Sequence, residues 1–292
     1  MDWLSEFAPY LEFDAPIGRM TSYRVGGPAD RLFRPETEEQ LAAMTARARS
    51  DGVEVRVLGG GSNVLVRDEG VGGVVVRLDG PAFGDARIEG SRVTVGVGAK
   101  LMVLCRRLSE RGLSGLEGLA GIPGSVGGAI RMNAGGREGS FGDVVREIRV
   151  LCADGSIETW SRDQVGFGYR CSAIGDRIAL SAVLELEQKD PAGVSDCFRA
   201  NLAAKNASQP TNQRTAGCVF KNPEGASAGA LIDKAGLKGV RCGQASVSRL
   251  HANFIVTHPG ARASDVLDLI DRIRGSVHKT LGVELGLEIE IW

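Results

Sequence analysis

A chain of 292 residues with 43% hydrophobic side chains can bury more than one core, and its 35 basic and 36 acidic residues are mixed along the sequence. The resulting formal net charge of -1 leaves no electrostatic footprint for nucleic acid or an anionic membrane, so any anionic ligand has to be held by local geometry. No stretch approaches the length of a membrane span, and the opening Met1-Asp2-Trp3-Leu4-Ser5-Glu6 lacks the basic and apolar regions of a leader, so a cytoplasmic protein without an obligate protein partner is expected.

In chain order, the first segment reads as a small α/β unit. Arg31-Leu32-Phe33 is a short strand, and Thr37 with Gln40 forms a capping box ahead of Leu41, Met44 and Ala48 at helical spacing. Gly52 ends that helix. Val53, Val55 and Val57 alternate with Glu54 and Arg56, which predicts a strand covered on one face and running into Gly59-Gly60-Gly61-Ser62-Asn63.

A second segment is expected from residue 74, with strands over 74–78 and 93–97 and a helix carrying Leu101, Leu104, Cys105 and Leu108 up to Gly112. Further strands read over 148–152, 156–160 and 178–186, a mixed α+β pattern. Asp190-Pro191-Ala192-Gly193 reads as a linker before a helix over 194–206. In the last helix Ser264 is the expected cap, and Val266, Ile270, Ile273, Val277 and Leu281 form one stripe. After Gly282 a final strand turns Leu285, Leu287, Ile289 and Ile291 inward and Glu284, Gly286, Glu288 and Glu290 outward. The expected domains are 1–73, 74–189 and 190–292.

The forty-one glycines are concentrated at particular turns. Glycine admits positive φ and close approach to backbone N–H groups, so a glycine-rich turn after a strand can cradle a diphosphate. Two clusters qualify: Gly59-Gly60-Gly61-Ser62-Asn63, and Gly121-Ile122-Pro123-Gly124-Ser125-Val126-Gly127-Gly128 followed by Asn133-Ala134-Gly135. Val64 stands where a Rossmann fingerprint needs its third glycine, and no Gly-Lys-Ser/Thr completes a P-loop. Either cluster alone could be a pair of tight turns; two together favour a long diphosphate ligand. The six cysteines, at 105, 152, 171, 197, 218 and 242, form no CxxC pair and no zinc spacing, and read as reduced thiols.

Read in order, TSYRVGGPA at 21–29, the GGGSN turn with Asp68 downstream, GIPGSVGGAIRMNAGG at 121–136, GYRCS at 168–172, AGCVFKNP at 216–223 and HANF at 251–254 resemble the UDP-N-acetylenolpyruvoylglucosamine reductases. The resemblance spans nearly the whole chain. It implies an α+β protein in which a two-domain FAD-binding module of the vanillyl-alcohol-oxidase type is followed by an α+β domain for the UDP-sugar, with the glycine clusters gripping FAD. The absence of a long insertion between Arg170 and Cys218 is similar to the family's compact subclass, which lacks an extra substrate-clamping loop.

The implied reaction reduces an enolpyruvyl ether, a UDP-sugar, with NADPH and FAD supplying hydride. Negative charge then spreads into the substrate carboxylate, and the α-carbon is protonated. Under the resemblance Arg170 grips that carboxylate, Glu288 polarises the enol, and Cys218 donates the proton where many relatives carry serine. A thiol, with a free pKa of about 8.5, is a far stronger acid than a serine hydroxyl, but beside a flavin it is open to oxidation. Lys221 and Asn222 are expected at the substrate diphosphate. Alternation alone leaves Glu288 and Glu290 both open, and His251 reads as a turn brace. Two rival readings are another FAD enzyme of the same fold, which would have no need of this Arg, Cys and Glu set, and a flavin-binding module without activity.

Overall fold

The computed structural model describes residues 4–136 and 138–292; Met1, Asp2 and Trp3, on which part of the leader reading rests, lie outside the described residues. The chain divides into two compact units, Met1–Phe13 with Arg31–Gly60 and Gly72–Ala204, and Asp14–Asp30 with Gly61–Val71 and Lys205–Trp292.

In the first unit Thr37 and Gln40 form the expected capping box, and the helix Glu38–Ser50 buries Leu41, Met44 and Ala48. The strands Ala29–Phe33 and Val55–Val57 both pair in parallel with Val74–Val76. The run from Val74 thus completes the first sheet instead of opening the next segment. Lying between two neighbours, it buries all three valines. Val57 corrects an expectation: its strand is the edge of that sheet, and the side chain is 38% exposed.

A second, antiparallel sheet runs in the order Ile157–Ser161, Val145–Leu151, Ile178–Glu185, Arg92–Gly96, Ala86–Glu89. Val93 and Val95 are buried while Arg92 and Thr94 are exposed, the alternation of a sheet covered on one face. Leu41 and Met44 of the first helix, Leu104 and Leu108 of Leu101–Ser109, and Ile148 and Val150 of this sheet share one core. The expected linker at 190–193 is instead the start of the helix Pro191–Ser208. Asp190 Oδ2 accepts from the Gly193 N–H at 2.9 Å, and Pro191 takes the first helical position, where a missing N–H costs nothing.

The second unit centres on the helix Ala263–Leu281, which buries Val266, Leu269, Ile270, Ile273 and Val277 and ends at Gly282 in the left-handed region. An antiparallel sheet of Arg241–Cys242, Ala245–Val247 and Ile255–Thr257 contributes to the same core. The cap is not Ser264, which lies inside the first turn: Asp68 supplies it, accepting from the Ala263 and Ser264 N–H groups at 2.8 and 3.0 Å. The double glycine of TSYRVGGPA is a close-packing device, since Cβ atoms at Gly26 and Gly27 would lie 2.1 Å from the Val66 carbonyl oxygen and 2.5 Å from that of Asp68.

The C-terminal segment forms a ladder only over Glu290–Ile291, parallel to Val64–Leu65. Before it, the Glu288 and Ile289 N–H groups both point at the Val219 carbonyl, at 2.8 and 3.5 Å. Two residues thus face one acceptor, which interrupts the expected alternation. Leu285 and Ile289 remain buried, whereas Leu287 is half-buried.

Candidate active site

The two glycine turns of the first unit pack on each other. A Cβ at Gly60 would lie 2.6 Å from Gly124 Cα, and one at Gly59 would lie 2.6 Å from Ser125 Oγ. Among the described residues, the N–H groups of Gly59, Gly60, Gly124 and Ser125 have no acceptor within the chain. Gly124 holds φ +116, open to glycine alone without strain. Unbonded N–H groups on a surface cleared of side chains are the donor set that an FAD pyrophosphate needs, so these residues fit the cofactor.

Others expected to hold cofactor are engaged structurally. Gly121 N–H points at the Met102 sulfur at 2.8 Å, Ile122 packs against the core, Gly127 donates to Val97 and Gly128 to Ser125 Oγ. Ala134 donates to Ala129, and Gly135 pairs with Ser140. Pro123 precedes Gly124 in the same turn. Gly61, Ser62 and Asn63 belong to the second unit, where the Gly61 carbonyl accepts from Ser22.

Asn133 carries the glycine-rich segment over to Arg170. It sits at φ +40; its Nδ2 donates to the Gly168 carbonyl at 3.0 Å, and its Oδ1 accepts from Gly142 at 2.9 Å. Gly168 opens a tight turn closed by Cys171, whose carbonyl accepts from Gly168 at 3.0 Å. Arg170 occupies the third position of that turn at φ +56, where glycine is the favoured residue. A non-glycine residue held there is strained by about 1–3 kcal/mol, a cost that clusters at functional sites. The guanidinium lies 5.3 Å from the centre of the Tyr169 ring, which is 55% exposed. Arg131, which the sequence did not single out, braces the loop that follows: it donates to the Gly175 carbonyl, and its own carbonyl accepts from Ser172 Oγ at 3.1 Å.

In the second unit Cys218 and Glu288 lie on adjoining segments. Cys218 pairs with Phe254, and Phe220 pairs with Leu287. The bond from Glu288 N–H to the Val219 carbonyl sets the carboxylate residue one register position from the thiol. Asn63 reinforces it, donating from Nδ2 to the Glu288 carbonyl at 3.1 Å and accepting from Glu290 N–H at 2.9 Å. Glu290 pairs instead with Val64, farther along, and its carboxylate accepts from Trp292 Nε1 at 3.4 Å. Asn253, 2% exposed, takes both polar groups of Phe220: Oδ1 accepts from the N–H at 3.0 Å and Nδ2 donates to the carbonyl at 2.8 Å. It acts as a one-residue strand partner for the Cys218 segment.

Lys221 is joined through its N–H to the Gly286 carbonyl at 2.8 Å, and among the described residues its ammonium has no ion-pair partner. Asn222 Oδ1 accepts from Ala228 at 3.0 Å, so that carboxamide also orders the start of the helix Ala228–Lys234. At Asp68, burial acts to raise the carboxyl; the Ala263 and Ser264 N–H groups, the Ser264 hydroxyl and Arg262 overcome it and hold the group below its ordinary value. Burial, helped by Lys238, pushes His251 below the usual histidine range, and its Nδ1 accepts from Asn253 N–H at 3.3 Å, in keeping with a neutral ring that braces the turn. Among the described residues no cysteine is joined in a disulfide, and no group of His, Cys, Asp and Glu could hold a metal ion. No described helix is long and apolar enough to cross a membrane.

Residues 29–161 match the family described as FAD binding domain, and with the paired glycine turns they define a flavin-binding protein of α+β fold. Residues 209–292 match UDP-N-acetylenolpyruvoylglucosamine reductase, C-terminal domain. The chain is 43% identical over 279 residues to UDP-N-acetylenolpyruvoylglucosamine reductase 2 of Symbiobacterium thermophilum, across 95% of this chain and 90% of that protein. It is 40% identical to the reductase of Bacillus subtilis, across 94% and 92%. The crystal structure of the Thermus caldophilus reductase superposes with a TM-score of 0.84 at 41% identity, covering 97% of this chain and 98% of that one. The chain belongs to the UDP-N-acetylenolpyruvoylglucosamine reductase family. A glucose dehydrogenase, Phl p 4, shares the fold alone, with a TM-score of 0.52 at 17% identity over 64% of this chain and 44% of that one.

Proposed function

We propose that this protein catalyses the NADPH-dependent reduction of UDP-N-acetylenolpyruvoylglucosamine to UDP-N-acetylmuramate, a step of peptidoglycan precursor synthesis. The observation that supports the reading is the bond from Glu288 N–H to the Val219 carbonyl, which runs the Glu288 backbone alongside the segment that carries Cys218, in a chain of this family.

In this reading the first unit holds FAD, chiefly through the N–H groups of Gly59, Gly60, Gly124 and Ser125, and the second binds the UDP-sugar. The chemistry supplied by bound FAD is hydride transfer, from NADPH to the carbon–carbon double bond of the enolpyruvyl ether. Arg170 grips the substrate carboxylate through its fork of donors as negative charge builds there. Glu288 polarises the enol system. Cys218 delivers a proton from Sγ to the α-carbon and regains one from solvent. Lys221 and Asn222 meet the diphosphate.

An anaerobic titration tests the reading. NADPH should bleach the flavin absorbance of the purified protein, and UDP-N-acetylenolpyruvoylglucosamine should restore it. Flavin that stays bleached after that addition would remove the proposed substrate while leaving a flavoprotein; a protein that takes up no FAD would remove both.

A further inference from the structure

We propose that Tyr23 is a positioning residue for Cys218, its phenol donating a hydrogen bond to Sγ as the thiol surrenders its proton. The inference rests on the proton-donor reading of Cys218 given above.

Tyr23 is fully buried, and its ring lies in the apolar cluster that includes Ala216, Val219 and Phe220, the residues around Cys218. Its hydroxyl is buried and has no hydrogen-bond partner among the described residues. An orphaned buried hydroxyl is rare enough to call for a physical reason. Thr215 Oγ1, on the same segment as Cys218, is a second such orphan, so polar groups gather here that the static fold does not use.

The backbone brings the two residues to one place. Thr257 Oγ1 donates to the Tyr23 carbonyl at 2.7 Å, and Thr257 N–H donates to Arg214 at 3.0 Å. Just before the same strand, Phe254 pairs with Cys218. Thr257 on this strand thus holds the Tyr23 backbone, and Phe254, three residues earlier, pairs with Cys218.

Burial is the largest effect on the phenol and pushes it well above its ordinary range; a negative charge on Cys218 pushes the same way. The Ala216 backbone opposes both without reaching hydrogen-bond geometry. Among the described residues Cys218 is the titratable group whose charge reaches this hydroxyl. Tyr23 thus remains an O–H donor whenever the sulfur is anionic. In the proton step the S–H bond breaks and a C–H bond forms at the substrate α-carbon; the sulfur is neutralised afterwards by a solvent proton, and the phenol keeps its own throughout.

The test is the pH profile of Cys218 alkylation by iodoacetamide in the FAD-loaded protein, read by mass spectrometry of its peptide, in wild type and Tyr23→Phe. Phenylalanine fills the same space and removes only an unbonded hydroxyl, so the melting temperature should hold or rise. The midpoint of Cys218 alkylation should move up in pH, slowing the neutral-pH reaction about tenfold, while the exposed Cys171 and Cys197 keep their profiles. Turnover should fall with KM for the UDP-sugar unchanged. A Cys218 profile that superimposes on wild type overturns the inference. Cys218→Ala with full turnover would instead remove the proton-donor reading, and this one with it; an inactive Cys218→Ala beside an unshifted Tyr23→Phe profile removes the role of Tyr23 alone.

Discussion

The side chain of Asn253 completes both hydrogen bonds of the Phe220 peptide, at 2.8 and 3.0 Å, from a position that is 2% exposed. Removing it strands a buried N–H and a buried C=O, each costing about 1–3 kcal/mol. Asn253→Ala should therefore lose roughly 2–4 kcal/mol in a urea titration. Turnover should fall as well, because the Cys218 strand loses its partner. Stability within about 0.5 kcal/mol of wild type would show that water replaces the carboxamide.

Arg170 puts a functional demand in conflict with its backbone. Arg170→Gly relieves the left-handed strain and should stabilise the fold by about 1 kcal/mol. The same change should lower kcat/KM about 100-fold through loss of a charge-assisted, forked contact. Arg170→Lys should recover little, since a point charge does not replace the fork. Thermal melts and steady-state rates on the three proteins decide this; a glycine variant of full activity refutes the assignment.

Asp68 caps the last helix from a distant part of the chain, and Asp68→Ala should cost about 1–2 kcal/mol. Its folded carboxyl titrates below the ordinary 3.8, so the contribution is fully present above that value and is lost as pH falls through the lowered one. The alanine variant should accordingly show a shallower acid limb in stability against pH. Parallel acid limbs would mean that other carboxylates set acid stability.

Cys218 gives the protein an oxidisable donor. Cys218→Ser should keep substantial turnover and resist hydrogen peroxide, whereas wild type should lose activity on exposure and regain it with dithiothreitol if oxidation stops at the sulfenic acid. Equal sensitivity of the two proteins would place the oxidation elsewhere.

Much of this was legible in the chain because the signals are local. Thr37 and Gln40 announce their helix through spacing, and Val93 and Val95 announce a half-covered strand through alternation. The misreadings came where a distant residue decides. Ser264 looked like a cap because Asp68, far away in sequence, supplies the real one. The 190–193 stretch looked like a linker because Pro and Gly punctuate turns, yet Pro at a first helical position and an aspartate acceptor make a helix start. The glycine clusters were visible as a pair, but no periodicity reveals that Gly60 rests on Gly124. Glu288 and Glu290 became distinct only through the doubled approach to Val219, and Tyr23 carried no signal beyond its place in a motif, because an orphaned hydroxyl exists only in three dimensions.

The bond from Thr257 to Tyr23 spans 234 residues. Tyr23 and Val25 belong to a core otherwise built largely from residues after 205. During translation at about 5–20 residues per second, that early apolar segment waits roughly ten to fifty seconds for its partners to emerge. A nascent chain of this protein thus spends most of its synthesis with part of a future core uncovered, a natural target for ribosome-associated chaperones and a reason for yield to depend on them.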